Sequence, residues 1–297
     1  MQLDPDSIYE QLEARHILQP LSAALQQAGI ASAISDARCM LGIVLGRDDA
    51  VLPHEMIARW QPEQSRALEA LRQRRQTGEP ISRMRGWREF WSMQFMLSSA
   101  TLDPRPDSET VIEVALGWAR RQAPAVRILD LGTGSGCLLL TCLAELPQAS
   151  GVGIDISAEA LEMAAMNASQ HGLAARTMFY QQDFATDLTA HGQFDLILSN
   201  PPYIPSADIE MLDADVRHFD PLAALDGGPD GLSWWRVLCP LISRLLSNSG
   251  MAFVEIGAEQ GKSVVQLSAA SGLVQIASFN DLSGRERCLQ FQKELPS

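Results

Sequence analysis

The sequence lacks any apolar run near the roughly 18 residues that span a bilayer, and it has no Gly-x-x-x-x-Gly-Lys-Ser/Thr and no Cys-x-x-Cys. The first absence excludes a transmembrane helix. The second excludes a phosphate-cradling nucleotidase loop. The third leaves no zinc site or disulfide framework: the five cysteines (Cys39, Cys137, Cys142, Cys239, Cys288) are odd in number and scattered, as buried thiols in a reducing cytosol would be. A signal peptide is not expected either, because the start, Met1-Gln2-Leu3-Asp4-Pro5-Asp6, is acidic and has no apolar core. The expectation is a cytoplasmic chain with no membrane contact.

Positive charge is also scarce. The net charge is −13, and residues 1–104 hold 13 acidic and 11 basic side chains, which leaves 23 acidic and 12 basic, a balance of −11, to residues 105–297. A surface of that sign repels a polyphosphate backbone, which is normally met by clustered Lys and Arg. A large duplex-binding face and direct nucleic-acid contact are therefore not expected.

What is present is a chain of 297 residues, 46% hydrophobic, long enough for one large domain and a smaller one. The first 75 or so residues read as helices. Leu21, Ala24, Leu25 and Ala28 fall at helical spacing before Gly29, Ser35-Asp36 caps a second helix ending at Leu45-Gly46, and Pro62-Glu63 opens a third through Leu68, Leu71 and Arg75. A small helical bundle over residues 1–78 follows, a candidate docking domain. Residues 79–104 carry the aromatic-rich run from Ile81 to Phe95 and read as a linking β-hairpin. From residue 105 onward strands (126–131, 151–156, 176–181, 194–199, 251–256) alternate with helices such as 158–171 and 232–246, which predicts an α/β domain with a parallel sheet covered on both faces. The tail, 274–279 and 287–292 around Leu282-Ser283-Gly284, predicts an antiparallel pair at the sheet edge.

Ile128-Leu129-Asp130-Leu131 runs directly into Gly132-Thr133-Gly134-Ser135-Gly136 and then an apolar helix from Cys137. Glycines at a strand-to-helix turn let backbone N–H groups approach a ligand that a Cβ would exclude. Alone the pattern is weak, since a tight turn looks the same. Asp155 ends the next strand 19 residues after Gly136, near the spacing at which a carboxylate grips ribose hydroxyls. An NAD enzyme shows the same pair, but here the glycine spacing is Gly-x-Gly-x-Gly and a third strand ends in Gln182-Asp183-Phe184. There an acid can accept from an adenine amino group and a ring can stack on adenine. Asp183 as a helix cap and Phe184 as core are equally good readings of those two residues alone.

The strand Phe194-Asp195-Leu196-Ile197-Leu198-Ser199 ends in Asn200-Pro201-Pro202-Tyr203. A strand stop explains Asn and Pro as punctuation; chemistry explains more. Two prolines remove two donors and stiffen the turn, so that an NH₂ group meets two acceptors, the Asn200 amide oxygen and the Pro201 carbonyl, with Tyr203 offering a face to a planar group. Two acceptors holding both N–H bonds of an amide would aim its remaining lobe at the methyl group of a sulfonium donor and stabilise the charge that develops. Other residues carry less. His171 and His218 have no partner at ligand spacing, Trp234-Trp235 reads as packing or substrate rim, and Arg105 reads either as a site contact or as a structural ion pair.

The chain resembles the release-factor glutamine N5-methyltransferases from about residue 20 to its end. Besides the glycine loop and Asn-Pro-Pro-Tyr, the resemblance rests on Gly78-Glu79-Pro80, Arg88-Glu89-Phe90-Trp91, Pro104-Arg105-Pro106-Asp107-Ser108-Glu109, the segment from Phe219-Asp220-Pro221 to Asp226-Gly227-Gly228-Pro229-Asp230-Gly231-Leu232, and Glu255-Ile256-Gly257. It implies a class I, Rossmann-like, seven-stranded S-adenosyl-L-methionine-dependent methyltransferase domain after a small helical domain. It implies methylation of the glutamine in the Gly-Gly-Gln loop of peptide chain release factors. Apart from the resemblance, a monomer with no metal is expected. Cofactor contacts would fall on Gly132, Thr133, Gly134, Ser135, Gly136, Asp155, Asp183, Phe184 and Asn200. The substrate amide would fall on Asn200, Pro201, Pro202 and Tyr203, with Asn200, Pro201 and Tyr203 catalytic. The chain departs from the family in having Asp103 where an apolar residue is common, and Phe184 where Trp is common. Alternatives are a sister family acting on a ribosomal-protein glutamine, and nucleic-acid amino-methyltransferases, which share only Asn-Pro-Pro-Tyr.

Overall fold

The computed structural model describes residue 4 and residues 6–122 and 125–294. Met1, Gln2, Leu3 and Pro5, from the segment read against a signal peptide, lie outside the described residues, as do residues 123–124 and 295–297. The chain forms two compact units, Met1–Gly86 with Ala214–Phe219, and Trp87–Asp213 with Asp220–Ser297.

In the first unit the helices Arg15–Gln27, Ala33–Val44 and Pro62–Gln76 form where the apolar spacing placed them. Leu18, Leu21, Leu25, Met40, Leu41, Leu68 and Leu71 close their core. Two features depart from an all-helical reading. Tyr9–Glu13 (β1) pairs antiparallel with Met56–Trp60 (β2), turning Leu12, Ile57 and Trp60 into the core. Each strand is five residues long and its partner lies more than 40 residues away, so neither leaves a local pattern. The second helix starts at Ala33 rather than being capped by Ser35-Asp36. Asp36 sits inside its first turn, accepts from Ser32 Oγ at 2.7 Å, and forms a buried ion pair with Arg75 Nε at 2.8 Å. A carboxylate in a first turn also meets the positive end of the helix dipole.

Ile81–Arg85 is a short helix rather than the start of a hairpin, held between Pro80 and Gly86, whose φ of 81° is the left-handed stop that glycine adopts freely. The hairpin itself is shorter, Trp87–Phe90 (β3) against Met93–Met96 (β4), and it belongs to the second unit.

The second unit is built on Arg127–Leu131 (β5), Ser150–Asp155 (β6), Thr177–Gln181 (β7), Phe194–Ser199 (β8), Leu246–Glu255 (β9), Leu273–Asn280 (β10) and Glu286–Lys293 (β11). Their order is β10-β11-β9-β8-β5-β6-β7, parallel from β9 to β7, with β11 and β10 antiparallel at one edge. Strand alternation sorts the core into two layers. Ile128, Leu196 and Leu198 face helices Glu109–Ala119 and Cys137–Glu145. Leu129, Leu131 and Ile197 face helices Ser233–Leu245 and Gly261–Ala269. Each such side chain, fully buried, contributes about 1.5–3 kcal/mol. Because the chain steps from β5 outward to β7 and then returns to β8 on the other side, the carboxyl ends of β5 and β8 flank a switch in strand order, where open α/β sheets bind ligands.

Candidate active site

The four loops that follow β5, β6, β7 and β8 meet in one cleft that is open to solvent. The β5 loop is a tight cradle. Gly132 and Thr133 both donate their N–H to the Ile154 carbonyl at 2.9 and 3.0 Å, and Gly136 N–H returns to Thr133 O at 2.7 Å. Gly132, Gly134 and Gly136 all have positive φ (78°, 54° and 81°), a region that costs other residues about 1–2 kcal/mol. Gly136 needs its small size for packing rather than for the cleft, because a Cβ there would meet Leu140 at 3.0 Å and Ala164 at 3.3 Å. Gly132, Thr133, Gly134 and Ser135 line the cleft and Gly136 does not.

Asp155 is locked from both sides, Oδ2 accepting from Gly134 N–H at 2.9 Å and Oδ1 from Ser157 N–H at 3.0 Å. Each oxygen keeps a lone pair for a hydroxyl. Beneath the loop, burial pushes the Asp130 carboxyl up to about 7, against a hydrogen bond from Thr133 Oγ1 at 2.7 Å. Asp183 and Phe184 line the cleft too. Asp183 Oδ1 accepts from Ala185 N–H at 2.9 Å, so it caps its own turn. Phe184 stands edge-to-face with Trp234, the ring centroids 5.9 Å apart. Trp234 lines the cleft and donates to Asp226 O at 3.1 Å, whereas Trp235 is buried in the core.

Asn200 and Pro202 line the cleft; Pro201 and Tyr203 do not. Asn200 Nδ2 donates to Ser108 Oγ at 3.2 Å, and Ser108 Oγ donates to Glu255 Oε2 at 2.5 Å. Tyr203 OH donates to the other oxygen, Glu255 Oε1, at 3.2 Å. Burial pushes Glu255 above the usual carboxylate range, while Ser108, the nearby Arg287 charge and Tyr203 pull it back. Burial likewise pushes the Tyr203 hydroxyl upward, with the Glu255 charge acting in the same direction. Arg287 itself pairs with Asp281 at 3.2 Å and Asp107 at 3.3 Å.

Arg105 takes both roles read from the sequence: it lines the cleft and ion-pairs with the buried Asp220. Asp103, the departure from family composition, is buried beside them, its N–H donating to Asp220 Oδ1 at 3.2 Å and its carboxylate 3.8 Å from Arg88 Nε. His171 contacts Gln94 O at 2.7 Å and the Phe95 ring.

Residues 122–268 match the methyltransferase domain family, and residues 16–86 match the PrmC N-terminal domain. The chain is 46% identical over 267 residues to the release factor glutamine methyltransferase of Rhodospirillum rubrum, covering 89% of this chain and 80% of that one. The counterpart from Bradyrhizobium diazoefficiens is 43% identical over 279 residues, 93% of each chain. The chain belongs to the release factor glutamine methyltransferase family. Among solved structures it is similar to the release-factor-specific protein-(glutamine-N5) methyltransferase of Alicyclobacillus acidocaldarius, 26% identical with a TM-score of 0.40, covering 65% of this chain and 94% of that one. As a member of this family, the protein is an S-adenosyl-L-methionine-dependent methyltransferase with a Rossmann-like seven-stranded domain.

Reading the sequence alone assigned no role in this methyltransferase to Ser108, Glu255 or Asn167. Ser108 and Glu255 stand in segments that carry the family resemblance, but they are 147 residues apart. Asn167, fully buried, holds Met96 by its N–H and carbonyl and holds the Ser135 carbonyl at 2.9 Å, so it ties the hairpin to the glycine loop. Only its position as a polar residue on the inward face of helix Ala158–Gln170 could have signalled it.

Proposed function

We propose that this methyltransferase moves a methyl group from S-adenosyl-L-methionine to the side-chain amide nitrogen (N5) of the glutamine in the Gly-Gly-Gln loop of peptide chain release factors. The observation that carries the reading is the Asn200 amide, which shares a cleft with the glycine loop and Asp155 and has its own NH₂ end occupied by Ser108. Its oxygen is left to accept.

The residues present fit the donor. Gly134 at positive φ leaves space where no other atom lies within 4 Å of a Cβ, so ligand atoms can approach the backbone closely. Asp155 would hold the ribose hydroxyls, with Phe184 and Asp183 on the adenine side. When bound, S-adenosyl-L-methionine supplies a methyl group already activated by its sulfonium. The chain must therefore orient a poor nucleophile, because an amide lone pair is delocalised into its carbonyl. Asn200 Oδ1 and the Pro201 carbonyl would accept the two N–H bonds and leave the π lobe aimed along the transfer axis. They would also stabilise the positive charge developing on nitrogen. The proton leaves afterwards from a strongly acidic nitrogen, so no general base is required in the motif. Tyr203, tied to Glu255, acts as a fixed wall behind the turn.

If Asp155 holds the ribose, Asp155→Ala lowers cofactor affinity by about 1–3 kcal/mol, the scale of a lost charge-assisted hydrogen bond. Calorimetry on the folded variant checks this, and unchanged affinity removes Asp155 from the site.

Partner choice is tested with radiolabelled S-adenosyl-L-methionine and purified release factors. The label is expected on the Gly-Gly-Gln glutamine and is expected to vanish when that glutamine is replaced. Stronger labelling of a ribosomal protein or of duplex DNA would overturn the assignment. Among the described residues no helix is long and apolar enough to cross a membrane. The acidic balance of residues 105–297 supports a protein substrate met without direct nucleic-acid contact, and the proposal takes the enzyme as a cytosolic monomer.

A further inference from the structure

A primary amide has two ends of nearly equal shape and opposite hydrogen-bonding character, and only one orientation of Asn200 can accept from a substrate NH₂. Nothing in the strand end itself selects that orientation. The selection comes from outside the motif. Glu255, at the end of β9, is 1% exposed and surrounded by groups that donate to it, Ser108 Oγ on Oε2 at 2.5 Å and Tyr203 OH on Oε1 at 3.2 Å. A contact of 2.5 Å between a hydroxyl and a carboxylate lies in the range of a charge-assisted O–H···O⁻ bond. Serine has a single hydroxyl hydrogen, and Glu255 takes it. Toward Asn200, Ser108 can therefore only accept, and the atom it meets at 3.2 Å is Nδ2. Arg287 completes the direction of the chain, donating toward Tyr203 OH at 3.5 Å and to Ile256 O at 3.2 Å while pairing with Asp107 and Asp281. The Ser108 and Tyr203 hydroxyl hydrogens both point to Glu255.

The geometry points to Ser108 and Glu255 as positioning residues for methyl transfer: the buried Glu255 carboxylate fixes the Ser108 hydroxyl as an acceptor, which pins the NH₂ end of Asn200 and turns its oxygen toward the substrate amide. The inference rests on the reading of Asn200 as the acceptor for that amide. It adds that the specificity of the clamp for a donor group is set by two residues from the segments Pro104–Glu109 and β9, which meet Asn200 only in the fold.

A double-mutant cycle tests this in the full-length enzyme with a release factor as substrate. Ser108→Ala is expected to lower kcat about tenfold, the scale of one hydrogen bond lost with its charged partner left short of a donor. KM for the release factor and the cofactor dissociation constant are expected to change by no more than about twofold, because the principal contacts of both lie elsewhere. Asn200→Asp removes the NH₂ end and leaves two equivalent oxygens, so there is nothing for Ser108 to orient. In that background Ser108→Ala is expected to change kcat by less than about twofold, which makes the two substitutions strongly non-additive. Restoring a hydroxyl with Ser108→Thr is expected to recover most of the activity lost in Ser108→Ala. A merely structural Ser108 would give the same loss in both backgrounds, and that result would overturn the proposal. So would near-normal kcat in folded Ser108→Ala. Failure of the underlying reading looks different, since the unmodified enzyme would then not label glutamine or Asn200→Ala would keep its turnover.

Discussion

Replacing Asn200 with Ala is expected to lower methyl-transfer turnover by roughly 100- to 1000-fold, the loss seen when one preorganised transition-state hydrogen bond is deleted. The substitution removes the oxygen that would accept from the substrate amide and leaves Ser108 without the donor it accepts from. Cofactor affinity is expected to fall much less, because the glycine loop and Asp155 hold their geometry through bonds that do not involve Asn200. Asn200→Asp is expected to be damaging too, although it preserves size and an acceptor. It has no hydrogen to give Ser108, whose own hydrogen is committed to Glu255 at 2.5 Å, and it adds a negative charge beside the sulfonium and a buried carboxylate. Binding and turnover measured on the same preparations separate the two effects. Near-normal turnover in folded Asn200→Ala would mean that the amide is not held there, and the proposed mechanism would be wrong.

The strand ends that carry this argument were legible because they are local. A buried strand of a parallel sheet reads as an apolar run, and the polar residue ending it reads as a site; 194–199 forms over those same residues, and β5, β6 and β7 shift by only a residue at either end. What was not legible depends on partners distant in sequence. β1 and β2 are only five residues each, too short to stand out before they pair. Ile81–Arg85 reads like strand in an aromatic-rich run, and it is Gly86 in the left-handed region that ends it as a helix. The hairpin turn at Trp91-Ser92 uses two non-glycine residues at φ of 51° and 59°, positions where Asn-Gly is the usual signal. Glu109 and Glu145, which bind Trp91 N–H at 3.0 Å and Nε1 at 3.1 Å, hold it there. Trp234 was left between packing and rim, and its ring against Phe184 places it at the rim. Asp36 and Asn167 illustrate the same limit, since a buried polar residue announces itself only through the groups it satisfies.

The segment Asp226-Gly227-Gly228-Pro229-Asp230-Gly231-Leu232 is explained by the same distant contacts, and it supports the second large effect, that of Gly231→Ala. Ile204 N–H donates to Leu225 O at 3.1 Å and Gly227 N–H to Ile204 O at 2.8 Å, so this loop is stapled to the turn after Asn200. Gln260 locks both, its Nε2 donating to Tyr203 O at 2.8 Å and to Gly231 O at 3.1 Å. Gly231 has φ of 72°, and a Cβ there would lie 2.5 Å from Tyr203 O and 2.6 Å from Gln260 Nε2. One of these neighbours is main chain, so relief requires the Asn200–Tyr203 turn to move by close to 1 Å, a displacement that can cost on the order of 100-fold in rate. Gly172 provides the control: its φ of 68° is similar, but a Cβ there meets nothing within 4 Å. Gly172→Ala should show only the left-handed backbone cost of about 1–2 kcal/mol in stability and nearly full turnover. Gly231→Ala should lose a further ~1–3 kcal/mol from overpacking, keep its cofactor affinity, and lose about 100-fold in turnover. Thermal unfolding, cofactor binding and methyl transfer on the two variants decide between them. If Gly231→Ala turns over like Gly172→Ala, the Tyr203 main chain is not held by this contact and the glycine serves the loop alone.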